Sequence, residues 1–174
     1  MKKTTVLIAP LLLAFFGCVP SEEPVSGRLE VRPAIVAHMD VAQKKLYIAN
    51  VKESLKSLLR SAEDVARRKK PQSLTQLRVE GDKFVRAYVV PILGDKEAMA
   101  EIDTRLEVAK LYLLTSRFYL QTEASEQSRM YLSRLERGFG DNNIFMNTSI
   151  DRNDVGCGSL QEGVDDLRKE LAGR

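Results

Sequence analysis

The chain has 174 residues, of which 29% are charged and 6% aromatic, and its formal net charge is +3. This length suits one domain with a buried core, and the small net charge favours neither a nucleic-acid partner nor an acidic substrate. With one histidine, His38, the chain excludes a multi-histidine zinc cluster or di-iron centre. Haem-attachment, phosphate-loop and dinucleotide motifs are absent from the sequence. We therefore expect a protein that is not an enzyme and that holds no cofactor.

The N-terminal segment has the order of a secretory signal. Lys2 and Lys3 precede an apolar run from Val6 to Phe16, whose about 11 residues are too few for the roughly 20 that span a bilayer. The run ends in Phe15-Phe16-Gly17-Cys18. This segment resembles the signal of bacterial lipoproteins, in which the cysteine after a small residue is lipidated and the preceding peptide is removed. Phe15 stands where that family prefers Leu.

The resemblance implies a signal peptide at 1–17 and acyl chains, such as palmitate, on Cys18. Two or more chains hold a protein at a membrane stably, at ~0.8 kcal/mol per buried methylene. By the same resemblance, Val19 favours sorting to the outer membrane, with the protein facing the periplasm. An ordinary secretory signal with an incidental cysteine is the alternative. Loss of Lys2 and Lys3 with the signal would leave 25 basic and 24 acidic side chains, from 27 and 24 in the full chain.

The residues from Val19 to Pro33 are typical of an extended linker. They contain Pro20, Pro24 and Pro33, few apolar side chains and no sustained periodicity. About fifteen residues at about 3.3 Å each would reach ~50 Å when fully extended. We therefore predict a lipidated cysteine and tether at 18–33 and a helical domain at 34–174.

Apolar periodicity predicts a first helix from about Ala34 to Lys70 and a second from about Ser73 to Gly94. The first helix should end at the basic run 67–70, before Pro71, because positive charge there offsets the helix dipole. Pro91 should end or kink the second. Two stripes of the first helix step by three and four residues: Ile35, Met39, Ala42, Leu46 and Ala49, then Ile48, Val51, Leu55, Leu58, Ala62 and Val65.

Three further helices are predicted. Asp95 should cap the third, whose apolar stretch from Leu111 to Leu120 predicts the core helix. Ser125 should cap the fourth, which forms an antiparallel hairpin with the third. Ser159 and Glu162 form a capping box at the start of the last. The predicted fold class is all-α, as an antiparallel helical bundle or a helical-hairpin array of about five helices.

The stretch from Gly138 to Gly158 reads as a loop of about twenty residues, a length at which loops are often functional or disordered. Apolar Phe145 and Met146 lie within it, as does Cys157, which has no disulfide partner if Cys18 carries lipid. Phe145 and Met146 are predicted either to pack on the body or to contact a partner. Cys157 is predicted to be an inert or semi-exposed thiol, with contact to a partner as the alternative.

Part of the same stretch resembles an EF-hand loop. Asp151, Asn153 and Glu162 would supply calcium ligands in that alternative. Val155 occupies a ligand position, however, and Glu162 is also the predicted capping residue. A series of turns rich in Asn and Asp is therefore the favoured interpretation.

These patterns predict a lipid-anchored, periplasmic-side helical protein that contacts a membrane through Cys18. It would act as an interaction or assembly accessory module with a protein partner in the envelope, in secretion, pilus or envelope machinery. The alternative is a helical lipoprotein that binds a small hydrophobic ligand or lipid. Its groove would lie beside Tyr112, Phe118 and Tyr119.

Overall fold

Helices account for most of the chain that the structure describes. A computed structural model of the protein describes residues 36–173. No β-strand occurs in this range, so the predicted all-α class is confirmed. No helix in the same range is both long and apolar enough to cross a bilayer. The predicted signal peptide, the tether and Cys18 lie outside the described residues.

The helices follow one another with short links. A 3-10 turn at Val36–His38 precedes α1 (Val41–Arg67), α2 (Pro71–Phe84), a π-helical stretch at Val85–Val89 and α3 (Val90–Leu93). Then come α4 (Lys96–Ala100), α5 (Ile102–Gln121) and α6 (Ser125–Phe139). Two one-turn helices, α7 (Asn143–Met146) and α8 (Arg152–Val155), lead to α9 (Leu160–Ala172). The long elements α1, α2, α5, α6 and α9 match the number of helices that the sequence predicts.

The core is built around α5, as predicted. Every residue from Val108 to Leu120 is buried except Tyr112 and Arg117, and the helix packs against α1, α6 and α9. Inside this core, the Ser116 hydroxyl donates to the Ser128 carbonyl at 2.9 Å. A short link after Gln121 turns the chain, so that α6 packs along α5 in the predicted hairpin.

One of the two stripes predicted for α1 is confirmed and the other is wrong. The core takes Ile48, Val51, Leu55 and Ala62 from the stripe that begins at Ile48. In the stripe that begins at Ile35, Leu46 is 65% exposed, Ala42 and Ala49 are exposed, and Ile35 itself lies outside the described residues. Lys44, which has 1% exposure, is buried instead.

Ion pairs explain the burial of Lys44. Its Nζ lies 3.0 Å from Oδ1 of Asp95 and 2.6 Å from Oε2 of Glu97. A buried ammonium is tolerated only when it is paired and hydrogen-bonded in this way. The two hydrogen bonds outweigh the effect of burial, and the pKa of Lys44 is raised.

The start of α1 lies later than predicted, because Asp40 caps it. The Asp40 carboxylate accepts from the Gln43 N–H at 2.8 Å, and the Gln43 side chain accepts from the Asp40 N–H at 2.9 Å. This reciprocal pair is a capping box. At the other end, Pro71 both stops α1 and opens α2, where a missing N–H costs no helical hydrogen bond.

The second helix passes Pro91 without breaking. Proline cannot donate to the carbonyl four residues earlier, and the π-helical stretch Val85–Val89 lies just before it. The Val90 N–H reaches back to the Val85 carbonyl, in the wider π spacing. The chain therefore stays helical as far as Leu93, and Gly94 follows as the predicted end.

The predicted third helix is divided. Asp95 caps α4 as expected, because its carboxylate accepts from the Ala98 N–H at 2.8 Å. The backbone then becomes extended at Glu101, with φ −92° and ψ 129°, and α5 starts after it. The predicted cap at Ser125 is wrong: α6 begins at Ser125, and its N-cap Ala124 has no side chain to accept a hydrogen bond.

The predicted capping box of α9 forms with a shift. The Ser159 hydroxyl accepts from the Glu162 N–H at 3.2 Å, as expected. The Glu162 carboxylate accepts from the Gly158 N–H at 2.8 Å rather than from that of Ser159. The first bond satisfies one of the free N–H groups at the start of α9, and the second ties the segment before α9 to its first turn.

Candidate partner-binding site

The stretch between α6 and α9 is folded onto the body rather than extended. It contains α7 and α8, and the Ile150 N–H donates to the Gly158 carbonyl at 2.9 Å. Phe145, Met146 and Cys157, the predicted partner contacts, are all buried in the core. In this conformation they offer almost no surface to a partner. In the same stretch, the apolar side chain of Ile144 is 87% exposed and could contact one.

The residues of the calcium alternative form turn and helix caps. Oδ1 of Asp151 accepts from the Asn153 N–H at 2.9 Å, at the start of α8. Glu162 is engaged by Gly158 and by Arg152, whose Nη2 lies 3.0 Å from Oε2 of Glu162. Those bonds, led by the one from Gly158, lower the pKa of Glu162. Within residues 36–173, no three His, Cys, Asp or Glu side chains are grouped to hold a metal ion.

A cluster of charges holds α8 against the body. The Asp154 carboxylate lies 2.8 Å from Nζ of Lys52 in α1 and 2.8 Å from Nζ of Lys110 in α5. Glu107 lies 2.6 Å from the same two ammonium groups. Burial raises the pKa of Asp154, but hydrogen bonds from Lys110 and Lys52 outweigh it, and the pKa is lowered. Because these charges neutralise one another, the cluster is structural.

An open cleft of about 510 Å³ lies where the start of α5 meets the end of α6. Its lining includes Arg105 from α5, Arg137 and Phe139 from α6, and Asp141 and Ile144 from the segment that follows. We call it the arginine cleft. Neither arginine stands out in the sequence, because each looks like an ordinary charged residue of a solvated helix face.

The Arg105 guanidinium lies against a stacked pair of aromatic rings. Its Cζ lies 5.4 Å from the ring centroid of Phe139 and 5.3 Å from that of Phe145, and the two rings stack with centroids 5.4 Å apart. Each cation–π contact contributes about 0.5–2 kcal/mol. Phe145 therefore helps to position a cation at the surface, although its own ring is buried.

Both arginines of the cleft lack an acidic partner. Within residues 36–173, Nε of Arg105 is buried without a hydrogen-bond partner. No carboxylate of this range forms an ion pair with Arg105 or Arg137. Nε of Arg137 donates to the Ser133 carbonyl at 3.3 Å, which leaves its terminal nitrogens for other contacts.

The aromatic groove of the alternative prediction is filled. Phe118 and Tyr119 are buried, and the Tyr119 ring stacks on Tyr131 with centroids 5.5 Å apart. The Tyr119 hydroxyl donates to Asp82 at 2.7 Å. Tyr112 is half-buried, and the clefts described along residues 36–173 are lined by other side chains.

Comparisons with known proteins found no relative of this chain. No protein-family model, no curated protein and no solved structure matches the chain. The functional argument therefore depends on the N-terminal motif and on the chemistry of the arginine cleft.

Proposed function

We propose that the protein is a lipid-anchored helical module on the periplasmic side of a bacterial envelope membrane. It binds another protein there as an accessory part of secretion, pilus or envelope-assembly machinery. The observation that carries the proposal is the Phe15-Phe16-Gly17-Cys18 motif behind a basic, apolar leader. Its resemblance to lipoprotein signals supports acyl chains on Cys18, and Val19 supports the outer membrane.

The polar groups of the body support binding rather than catalysis. The charges on buried Lys44 and half-buried Asp154 are neutralised by ion pairs between helices. The arginine cleft presents two cations, amide groups and one carboxylate. Such a set recognises opposite charge, whereas acid–base catalysis needs a group that exchanges protons near the operating pH.

Membrane fractionation and palmitate labelling test the anchor. In a bacterial host that expresses the full chain, we expect label and outer-membrane recovery for the wild type and loss of both for Cys18→Ala. The matched control is Cys157→Ala, which removes the other cysteine and should keep both. Equal labelling and fractionation of wild type and Cys18→Ala would contradict the proposal.

Cross-linking in the same membranes tests the interaction role. We expect a specific cross-linked product to form with the wild type. Its amount should fall when Cys18→Ala releases the chain from the membrane. Absence of any cross-linked product from correctly anchored wild type would contradict the role as a binding module and leave the anchor standing.

A further inference from the structure

We propose that the arginine cleft binds the side-chain carboxylate of an Asp or Glu on the partner protein, with a neighbouring apolar side chain packed on Ile144. This inference rests on the proposed function, because it names the chemistry by which that module recognises its partner.

The first step is the orientation of Arg105. Packing of its guanidinium against Phe139 and Phe145 restricts the movement of the group before any ligand arrives. A planar, preoriented guanidinium matches the two oxygens of a carboxylate and loses less entropy on binding than a free side chain. Hydrogen bonds between two charged groups are about twice as strong as neutral ones.

The second step is the charge of the lining. Arg105 and Arg137 are positive and Asp141 is negative, so the cleft has a net positive charge. None of the three forms an ion pair with a charged side chain in residues 36–173. An incoming carboxylate would meet two unpaired cations, while Asp141 would oppose its approach.

The third step is the shape. The cleft is open to solvent rather than enclosed, which suits a chain that passes over it better than a small molecule that must be surrounded. Ile144 lies in the same lining and is 87% exposed. An apolar residue next to the acidic one would cover it, and burial of that surface would add to binding.

Peptide arrays test this chemistry with defined probes. The full chain, purified in detergent, is applied to short peptides joined to the support by their C-termini. Each peptide has a central Asp or Glu flanked by Leu, Ile, Phe or Ala, and each has a twin with Asn or Gln at the centre. Affinities of the best acidic peptide and of its amide twin are then measured by fluorescence anisotropy.

We expect the acidic peptide to bind about tenfold more tightly than its twin. Arg137→Gln should remove most of that preference, and Asp141→Asn should tighten binding about twofold or more. The matched control is Arg60→Gln, which removes the same charge from an exposed position on α1 and should change affinity by less than about twofold. Arg105→Gln should also weaken binding, and circular dichroism checks that it remains folded.

Equal binding of acidic peptides and their twins, or no binding of either, would overturn the inference. So would an Arg137→Gln protein that binds like Arg60→Gln, because Arg137 is exposed and its substitution does not disturb the core. These failures are distinct from failure of the proposed function. Anchoring through Cys18 and cross-linking at the membrane are measured separately and would stand without the cleft.

Discussion

Gly81 of α2 lies directly against the ring of Phe118 of α5: a Cβ at position 81 would lie 2.0 Å from Cζ of that ring. Phe118 is completely buried and packs edge-on against Tyr119, with ring centroids 5.5 Å apart. Gly81, which weakens α2 as an isolated helix, is therefore required for the close approach of α2 to α5.

Gly81→Ala should lower the free energy of unfolding by about 1–3 kcal/mol, because overpacking forces side chains or backbone to shift. Urea denaturation measures the change. The matched control is Gly138→Ala in α6, where an added Cβ meets nothing within 4 Å. That substitution should stabilise the protein by about 0.5–1 kcal/mol. Equal effects of the two substitutions would contradict the close-packing argument.

Asp95 combines two roles that substitution can separate. Its carboxylate caps α4 through the Ala98 N–H and also lies 3.0 Å from buried Lys44. Asp95→Asn keeps an acceptor for the cap but removes the charge, whereas Asp95→Ala removes both. We expect a loss of ~1–2 kcal/mol in the free energy of unfolding for Asn and ~1 kcal/mol more for Ala.

A double-mutant cycle with Lys44→Met isolates the ion pair. Removal of both partners should be less destabilising than the sum of the single changes, with a coupling of about 1 kcal/mol or more. Additive effects in thermal or urea unfolding would show that the pair contributes nothing to stability. Glu97, which also contacts Lys44, is largely exposed and should contribute less.

The Asp154 cluster predicts sensitivity to acid. Lys110 and Lys52 hold the pKa of Asp154 below its usual 3.8, against the opposing effect of burial. The ionised Asp154 therefore stabilises the fold at a pH above its pKa in the unfolded chain. This stabilisation is lost as the pH falls through the pKa of Asp154 in the folded protein. Between about pH 5 and about pH 2, the wild type should therefore lose more stability than Asp154→Asn. The measurement is urea unfolding at several pH values.

Asp141→Asn is the matched control for that experiment, because Asp141 is exposed and forms no ion pair within residues 36–173. Its stability should follow the wild type in parallel across the same pH range. Parallel curves for the wild type and Asp154→Asn would instead show that the lysines do not stabilise the ionised form. A gain in Asp154→Asn stability at neutral pH would contradict the structural role of the cluster.

Features that depend on neighbours within a few residues could be predicted from the sequence. The caps by Asp95 and Ser159 bond N–H groups three residues later. The α1 stripe from Ile48 and the core helix α5 follow from apolar spacing alone. Such signals are local, and tertiary packing did not override them.

Features that depend on distant partners could not be predicted. Lys44 is buried because Asp95 and Glu97, 51 and 53 residues later, neutralise it. Asp154 pairs with Lys110, which lies 44 residues earlier in the chain. From the sequence alone, Lys44 and Lys110 would both be assigned to the solvent-exposed surface, because they are charged. Arg105 likewise became a candidate binding residue only when α6 and α7 brought two phenylalanine rings to it.

Cys157 offers a direct measure of how firmly the segment between α6 and α9 is closed. Its thiol is fully buried, and burial raises its pKa, so little reactive thiolate is accessible. In the Cys18→Ala protein, Cys157 is the one remaining cysteine. In the native state it should react with iodoacetamide far more slowly than an exposed thiol introduced by Ser57→Cys on α1. In denaturant it should react fully. Gly163→Ala should accelerate labelling, because its Cβ would lie 2.8 Å from Sγ of Cys157. Native labelling as fast as that of Ser57→Cys would mean that the segment opens readily, which would return Cys157 to the surface as a partner contact.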